Sequence, residues 1–251
     1  MTDAVPGADA LRSFMSQTEA ARERGADPVP IAARAATVVV AREGADGPEI
    51  LMLRRPERGT FAGAWVFPGG KVDPEDAVPG GTMADQLKAT AVRETKEETG
   101  LDVVPDNLVQ ISTWEPPTDT AVRIRTWFFV ALASSGTFVP SPDEVAEWTW
   151  IRPIDMLERH AQGRVTLYPP TFITLTALTG CGESLAAWST HLRDVQPREY
   201  GTRMRKRDGT TVLFWQGDYE YDADRPDTTG PRHRIVAGAL PWTYLNEVWA
   251  S

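Results

Sequence analysis

The chain has 251 residues, 41% of them hydrophobic, which suffices for one large domain or two small ones around an ordinary core. Its formal net charge of -9 argues against general nucleic-acid binding, because nucleic-acid phosphates are held by clustered Lys and Arg; a phosphate ligand would need local cations or a metal to offset that field. The single cysteine, Cys181, cannot form an intrachain disulfide, suits a reducing compartment and reads as a small buried apolar residue. The acidic N-terminus has no apolar signal region and no run reaches membrane-span length, so a cytoplasmic protein without membrane contact is expected.

In chain order, residues 9–24 place Leu11, Phe14, Met15 and Thr18 at helical spacing before Gly25 and two prolines, which predicts a short appended helix. The β-branched run Ala36 to Ala41 and the segment Glu49 to Arg54 read as a hairpin pair. Phe61 to Lys71, "FAGAWVFPGGK", is a short aromatic segment halted by Pro68 and a glycine pair, and residues 71–81 carry loop signals throughout. A helix is predicted from Met83 to Thr99 with Gly100 as its left-handed cap.

Further on, residues 108–114 and 122–133 read as strands, the second with Val122, Ile124 and Thr126 alternating against Arg123 and Arg125. Residues 144–151 are taken as another strand, and 153–162 as a helix. "PPTFITLTALTGCGESLAAWSTHL" is helical in pattern, and "TRMRKRDGTTVLFW" reads as a hairpin turning at Asp208 and Gly209. The basic run Arg203 to Arg207 fits a solvated hairpin, and His160, His191 and His233 show no ligand spacing. This order of elements predicts an α/β or α+β sandwich with a mixed sheet.

The helix from Met83 carries the chemistry. At about 100° per residue, Met83, Leu87 and Ala91 fall within roughly 60° of Glu94, and so do Glu97 and Glu98. A solvated helix end with i,i+4 ion pairs would place its acids on the far side, where Lys88, Val92 and Lys96 fall; the phase counts against that reading. Three carboxylates on one inward face repel one another, and Arg93, though it reaches Glu97, cannot neutralise three acids. A hard divalent cation such as Mg²⁺ or Mn²⁺ suits an oxygen-only ligand set and also binds phosphates.

Residues 69–101, "GGKVDPEDAVPGGTMADQLKATAVRETKEETGL", resemble the signature of the Nudix hydrolases, which cleave nucleoside diphosphates linked to another moiety. Arg93, Glu94, Glu97, Glu98, Gly100 and Leu101 match its second half, with Thr95 at a position the family fills with an apolar residue. The family's first glutamate falls on Asp85, which could ligate only if the helix began after it; otherwise it is a first-turn acid with Thr82 as cap. Fourteen residues separate Gly70 from Asp85, where the family has five, so a loop is inserted at the mouth of the site. That insertion, with Trp114 to Pro117 and Arg123 to Phe129, is similar to the subgroup related to the peroxisomal coenzyme A diphosphatase of animals.

The resemblance implies a Nudix-type α/β/α sandwich over residues 31–162, an N-terminal helical segment over 1–30, and a helical and β-hairpin extension over 163–251 packed on it. It also implies hydrolysis of a phosphoanhydride with Mg²⁺ or Mn²⁺ held by Glu94, Glu97, Glu98 and the backbone carbonyl at Gly69 or Gly70, where no Cβ intervenes. Arg93 orients a glutamate, and Glu144 matches the place of a general base, although an exposed strand-entry acid fits it equally. Arg54, Arg55, Arg123 and Arg125 are candidates for phosphate contacts. Trp65, Phe61 and Trp114 are candidates for stacking on an adenine, with core packing as the other role.

Coenzyme A or an acyl derivative leads the substrates, with ADP-ribose as the second enzyme reading; Pro116 lies where enzymes of both kinds carry a proline and does not discriminate between them. A non-catalytic nucleotide-binding module and a structural interaction protein are the rivals from other classes. Retention of all three glutamates favours catalysis. Whether the C-terminal third caps the site or builds a homodimer contact is left open.

Overall fold

The computed structural model describes residues 5–25, 27–222 and 229–249. Its elements are α1 (Ala8–Glu23), β1 (Ile31–Gly44), β2 (Gly47–Arg54), β3 (Trp65–Val66), β4 (Gly69–Lys71), α2 (Met83–Thr99), β5 (Val109–Glu115), β6 (Arg123–Ala131), β7 (Glu147–Ile151), α3 (Pro153–Ala161), α4 (Pro169–Leu178), α5 (Leu185–Arg193), β8 (Arg198–Gly201), β9 (Arg203–Arg207), β10 (Thr210–Phe214), β11 (His233–Val236) and β12 (Thr243–Asn246).

The eight-stranded sheet runs β3-β2-β1-β6-β5-β8, with β4 also paired to β1 and β7 to β2. It is mixed: β1–β6 and β5–β8 are parallel and the other pairs antiparallel. The strand predicted at Ala36 to Ala41 extends to both sides in β1, because β6 pairs along it from Ile31 to Val40 while β4 and β2 divide its other edge. Val38 and Val40 point to the face carrying α2, where they join Leu51, Leu53, Leu87, Ala91, Trp127 and Phe129. Val39 and Ala41 point to the opposite face, packed with Ile50, Met52, Phe128 and side chains of α1, α3, α4 and α5. A strand buried on both faces must be apolar at successive positions, which is why β1 reads "ATVVVA" without alternation.

Several local expectations hold. Gly100 caps α2 in the left-handed region at φ 73°, and Asp208 and Gly209 turn the β9–β10 hairpin with φ 49° and 77°, as a two-residue turn between right-twisted strands requires. Other expectations are corrected. The N-terminal helix is no appendage, since Leu11 and Met15 are buried in the main core. The helical stretch after Pro169 is two helices, α4 and α5, parted at Gly180 and Gly182. Met83, expected on the inward stripe, is 47% exposed. The alternation at the start of β6 is inverted: Arg123 is buried and Val122 is 60% exposed. Arg123 goes inward because it donates to the carbonyls of Pro116 (3.1 Å) and Val29 (2.8 Å).

Beyond α5 the chain returns to the main sheet as edge strand β8, then forms a second, antiparallel sheet β12-β11-β10-β9. Trp114 of β5 stacks on Tyr200 of β8 with centroids 3.8 Å apart and planes 2° from parallel, and Trp215 meets both edge-on. No helix among the described residues is long and apolar enough to cross a membrane.

Candidate active site

The site is built where α2 crosses β1 and β4. Thr82 and Asp85 form a capping box at the helix start, so the helix phase is set before the chain reaches the acids. Gly69 and Gly70 pair with Thr37 and Ala36 directly beneath the helix. A Cβ at Gly70 would lie 2.3 Å from the Glu94 carboxyl carbon, so only glycine lets that carboxylate rest on the strand. Thr95 is fully buried despite its hydroxyl, which donates to the Ala91 carbonyl at 2.7 Å; the helix itself satisfies the polar atom at an apolar position.

Glu98 is buried, with one carboxylate oxygen accepting from the Gly69 N–H (2.9 Å) and the other from Arg55 (2.9 Å). Burial, helped by the repulsion of Glu144, outweighs those donors and pushes its carboxyl up to about 8. Glu94 is raised too, first by burial and then by Glu97 and Glu144, against the pull of Arg93. Glu97, expected on the inward stripe, sits instead at the rim with its side chain 58% exposed, since it lies toward the edge of the helix face that Glu94 and Glu98 present.

Glu144 lies in a turn before β7 rather than on the strand expected at 144–151, which begins at Glu147. The Ser141 N–H donates to the Glu98 carbonyl and the Ala146 N–H to the Arg54 carbonyl, both at 2.9 Å. The turn is thus pinned between the end of α2 and the end of β2, and Glu144 comes to 4.0 Å from Arg55.

Arg93 is the hub of the arrangement. It donates to Glu94 (2.9 Å), Glu97 (3.0 Å), the Lys71 carbonyl (3.1 Å) and both oxygens of Asp76 (2.8 and 2.9 Å). Asp76, within the stretch expected to be loop, is buried; it also accepts from the Thr90 hydroxyl and the Asp73 N–H at 2.8 Å. Its signal was the spacing Asp73–Pro74–Glu75–Asp76, a capping box with proline at the first helical position, and it does cap a 3₁₀ turn there. The inserted loop is therefore anchored on α2.

As placed, no three acid, histidine or cysteine side chains among the described residues enclose a metal ion; Arg93 and Arg55 occupy the carboxylates instead. The donor chemistry nevertheless fits a hard divalent cation. Two arginines meet five carboxylates (Asp76, Glu94, Glu97, Glu98 and Glu144), and burial first, with repulsion from Glu144 and, at Glu94, from Glu97, raises the carboxyl pKa of both Glu94 and Glu98.

Residues 32–169, over half of the chain, match the NUDIX domain. The chain belongs to the Nudix family. Over 167 residues it is 27% identical to the Caenorhabditis elegans protein named "Putative nudix hydrolase 7", covering 52% of this chain and 55% of that protein, so the chain spans about half the length of that curated relative. The crystal structure of a NUDIX hydrolase from Alicyclobacillus acidocaldarius superposes with a TM-score of 0.54 at 27% identity, covering 64% of this chain and 96% of that one.

Asp85, aligned with the first acid of the signature, does not join the acids around Arg93; Asp76, separated from Gly70 by five residues, does. Asp85 accepts from the Thr82 N–H (2.7 Å) and hydroxyl (2.8 Å), bonds that lower its carboxyl pKa and keep it at the exposed helix start. The remaining candidates are not gathered with the glutamates. Arg123 spends its donors on the Pro116 and Val29 carbonyls and on Glu115. Arg125 shares the α2 face of β6 with Trp127, over whose ring it lies, but pairs with Glu115 and Glu199. Trp114 is buried in the stack with Tyr200, and Phe61, with φ 58°, packs its ring edge-on against Tyr168. Arg54 and Trp65 are cross-strand neighbours on the sheet face opposite α2, where both line a cavity of about 380 Å³.

Proposed function

We propose that this Nudix domain hydrolyses the diphosphate linkage of a nucleotide joined to another moiety, with Mg²⁺ or Mn²⁺ held by Glu94, Glu97, Glu98 and the Gly70 backbone. The observation that carries this reading is the packing of buried Glu98 and half-buried Glu94 against a glycine pair with too few cations to balance them. A bound divalent cation would supply charge neutralisation on the bridging phosphates and lower the pKa of a coordinated water. The chain's own residues do the rest. Gly69 and Arg55 hold Glu98, Arg93 spans Glu94 and Glu97, and the anchored loop keeps Asp76 behind Arg93 so that these carboxylates are oriented before substrate arrives. Glu144, in its pinned turn, is the candidate to accept a proton from the attacking water.

Coenzyme A or an acyl derivative is the leading substrate, cleaved to 3′,5′-ADP and a phosphopantetheine compound. What supports that choice is the similarity of the insertion, of Trp114 to Pro117 and of Arg123 to Phe129 to the coenzyme A diphosphatase subgroup. The test is a panel of coenzyme A, ADP-ribose and dinucleoside polyphosphates incubated with purified protein and Mg²⁺ or Mn²⁺, with products identified by mass. Intact coenzyme A beside a cleaved alternative removes the coenzyme A reading. Equal turnover by the Glu97→Gln variant removes the metal mechanism.

A further inference from the structure

The cavity on the far side of the sheet is lined by Pro6, Arg54, Gly63, Trp65, Val165, Glu147, Arg159 and Arg164. We infer that it is a binding site for a phosphate group carried on a small organic molecule, separate from the acid cluster of α2. Arg54 forms its inner wall: its side chain is 16% exposed, its two terminal nitrogens bond Glu57 (3.1 Å) and Glu147 (2.7 Å), and its Nε is buried without an acceptor. Arg54 therefore shapes the wall with its charge already matched by Glu57 and Glu147, and free positive charge must come from other lining residues.

Arg159 and Arg164 complete the positive lining. Both are exposed, and neither guanidinium has a hydrogen-bond or ion-pair partner among the described residues. Local backbone bonds hold them together: the Arg164 N–H donates to the Arg159 carbonyl and the Gly163 N–H to that of His160, both at 2.8 Å, so the chain folds back at the end of α3. Compensation of the helix's negative end accounts for Arg159 in the last turn of α3 but not for Arg164, which lies beyond it.

In a chain of formal net charge -9, two unpaired guanidinium forks facing one cavity are an unusual concentration of free positive charge. Planar forks of this kind match phosphate oxygens bidentately. Trp65, Val165 and Pro6 supply the apolar remainder, so the phosphate is expected to arrive on a carbon framework rather than alone. The Trp65 N–H donates to the Thr166 carbonyl at 3.0 Å, which ties the arginine-bearing turn to β3 and keeps both walls in register.

The test titrates inorganic phosphate into metal-free, chelator-treated protein at low ionic strength and follows amide and indole resonances by NMR. Saturable shifts at Gly163, Arg164 and the Trp65 indole are expected. Joint substitution Arg159→Gln and Arg164→Gln should weaken the response about tenfold or more, and Glu97→Gln should leave it unchanged. Absence of saturable shifts, or an equal response in the double variant, overturns the site. The phosphate could belong to the hydrolysed substrate or to a separate phosphorylated molecule. A raised KM at unchanged kcat in the double variant assigns the first source, and loss of phosphate binding with KM unchanged assigns the second. Because the titration uses no divalent metal and no turnover, it stands or falls apart from the hydrolase reading.

Discussion

Arg54 and Arg55 are consecutive in the chain, yet their guanidinium groups serve opposite faces of the main sheet: Arg55 bonds Glu98 under α2 at 2.9 Å, and Arg54 bonds Glu147 beside the far cavity at 2.7 Å. Successive side chains of an extended segment must point to opposite faces, so one short stretch at the end of β2 supplies a cation to each side. Substituting the two should therefore have separable effects. Arg55→Gln leaves the buried Glu98 carboxylate without its cation, and Mn²⁺ affinity and turnover are expected to fall about 10- to 100-fold. Arg54→Gln should leave Mn²⁺ affinity unchanged. Metal titration of both variants, with circular dichroism to check folding, reads the difference.

Gly70 should tolerate no side chain. In Gly70→Ala the new methyl would overlap the Glu94 carboxylate, and the cheapest relief is rotation of that carboxylate off the strand. Displacement of an oriented group by about 1 Å costs on the order of 100-fold in turnover. The expected result is a folded protein with kcat reduced by that amount. Unaltered kinetics would mean that Glu94 does not act from the position described.

Asp76 ties the inserted loop to α2, and its contribution should depend on pH. The Arg93 guanidinium, with smaller help from the Asp73 N–H and the Thr90 hydroxyl, lowers its carboxyl from 3.8 to about 2. The folded state thus binds fewer protons than the unfolded one between those values. The stabilisation is complete above about 3.8 and is lost as pH falls through about 2. Asp76→Asn should cost about 2 kcal/mol at pH 7, with the deficit against the parent shrinking as the pH is lowered toward 3. Urea unfolding at pH 7, 5 and 3.5 measures it, and a deficit that stays constant would contradict the ion-pair account.

In the C-terminal sheet, Arg234 is buried and donates to both oxygens of Asp218 and, at 2.8 Å, to Glu220. Asp218 also accepts from the His233 and Glu220 N–H groups at 2.7 and 2.9 Å. Asp218→Ala strips a buried cation of its main partner and frees two backbone donors together, so a loss of about 3–5 kcal/mol is expected. Denaturant unfolding followed by tryptophan fluorescence reads this directly, since Trp215 lies next to the same strands.

The sequence by itself determined what a few neighbouring residues can decide among themselves. Thr82, Asp85 and Gly100 bound α2, Asp208 and Gly209 turn a hairpin, and the phase of a helix puts Glu98 on the buried stripe with Leu87 and Ala91 and Glu94 beside it, half-buried, although Met83 and Glu97, given the same phase, are exposed. Each depends on hydrogen bonds or side-chain directions repeating within one or two turns of chain, so spacing is enough to read them.

Tertiary structure decided everything that depends on which strands become neighbours. Asp76 meets Arg93 across seventeen positions only because β4 runs under α2 and returns the loop to its flank. Arg123 and Trp114 left the site because parallel pairing of β6 with β1 and of β5 with β8 drew them into the packing. Arg159 and Arg164 meet Arg54 across more than a hundred positions. No local signal reports such meetings, since strand pairing is chosen by the burial of whole faces, and one-dimensional spacing does not say which faces will be brought together.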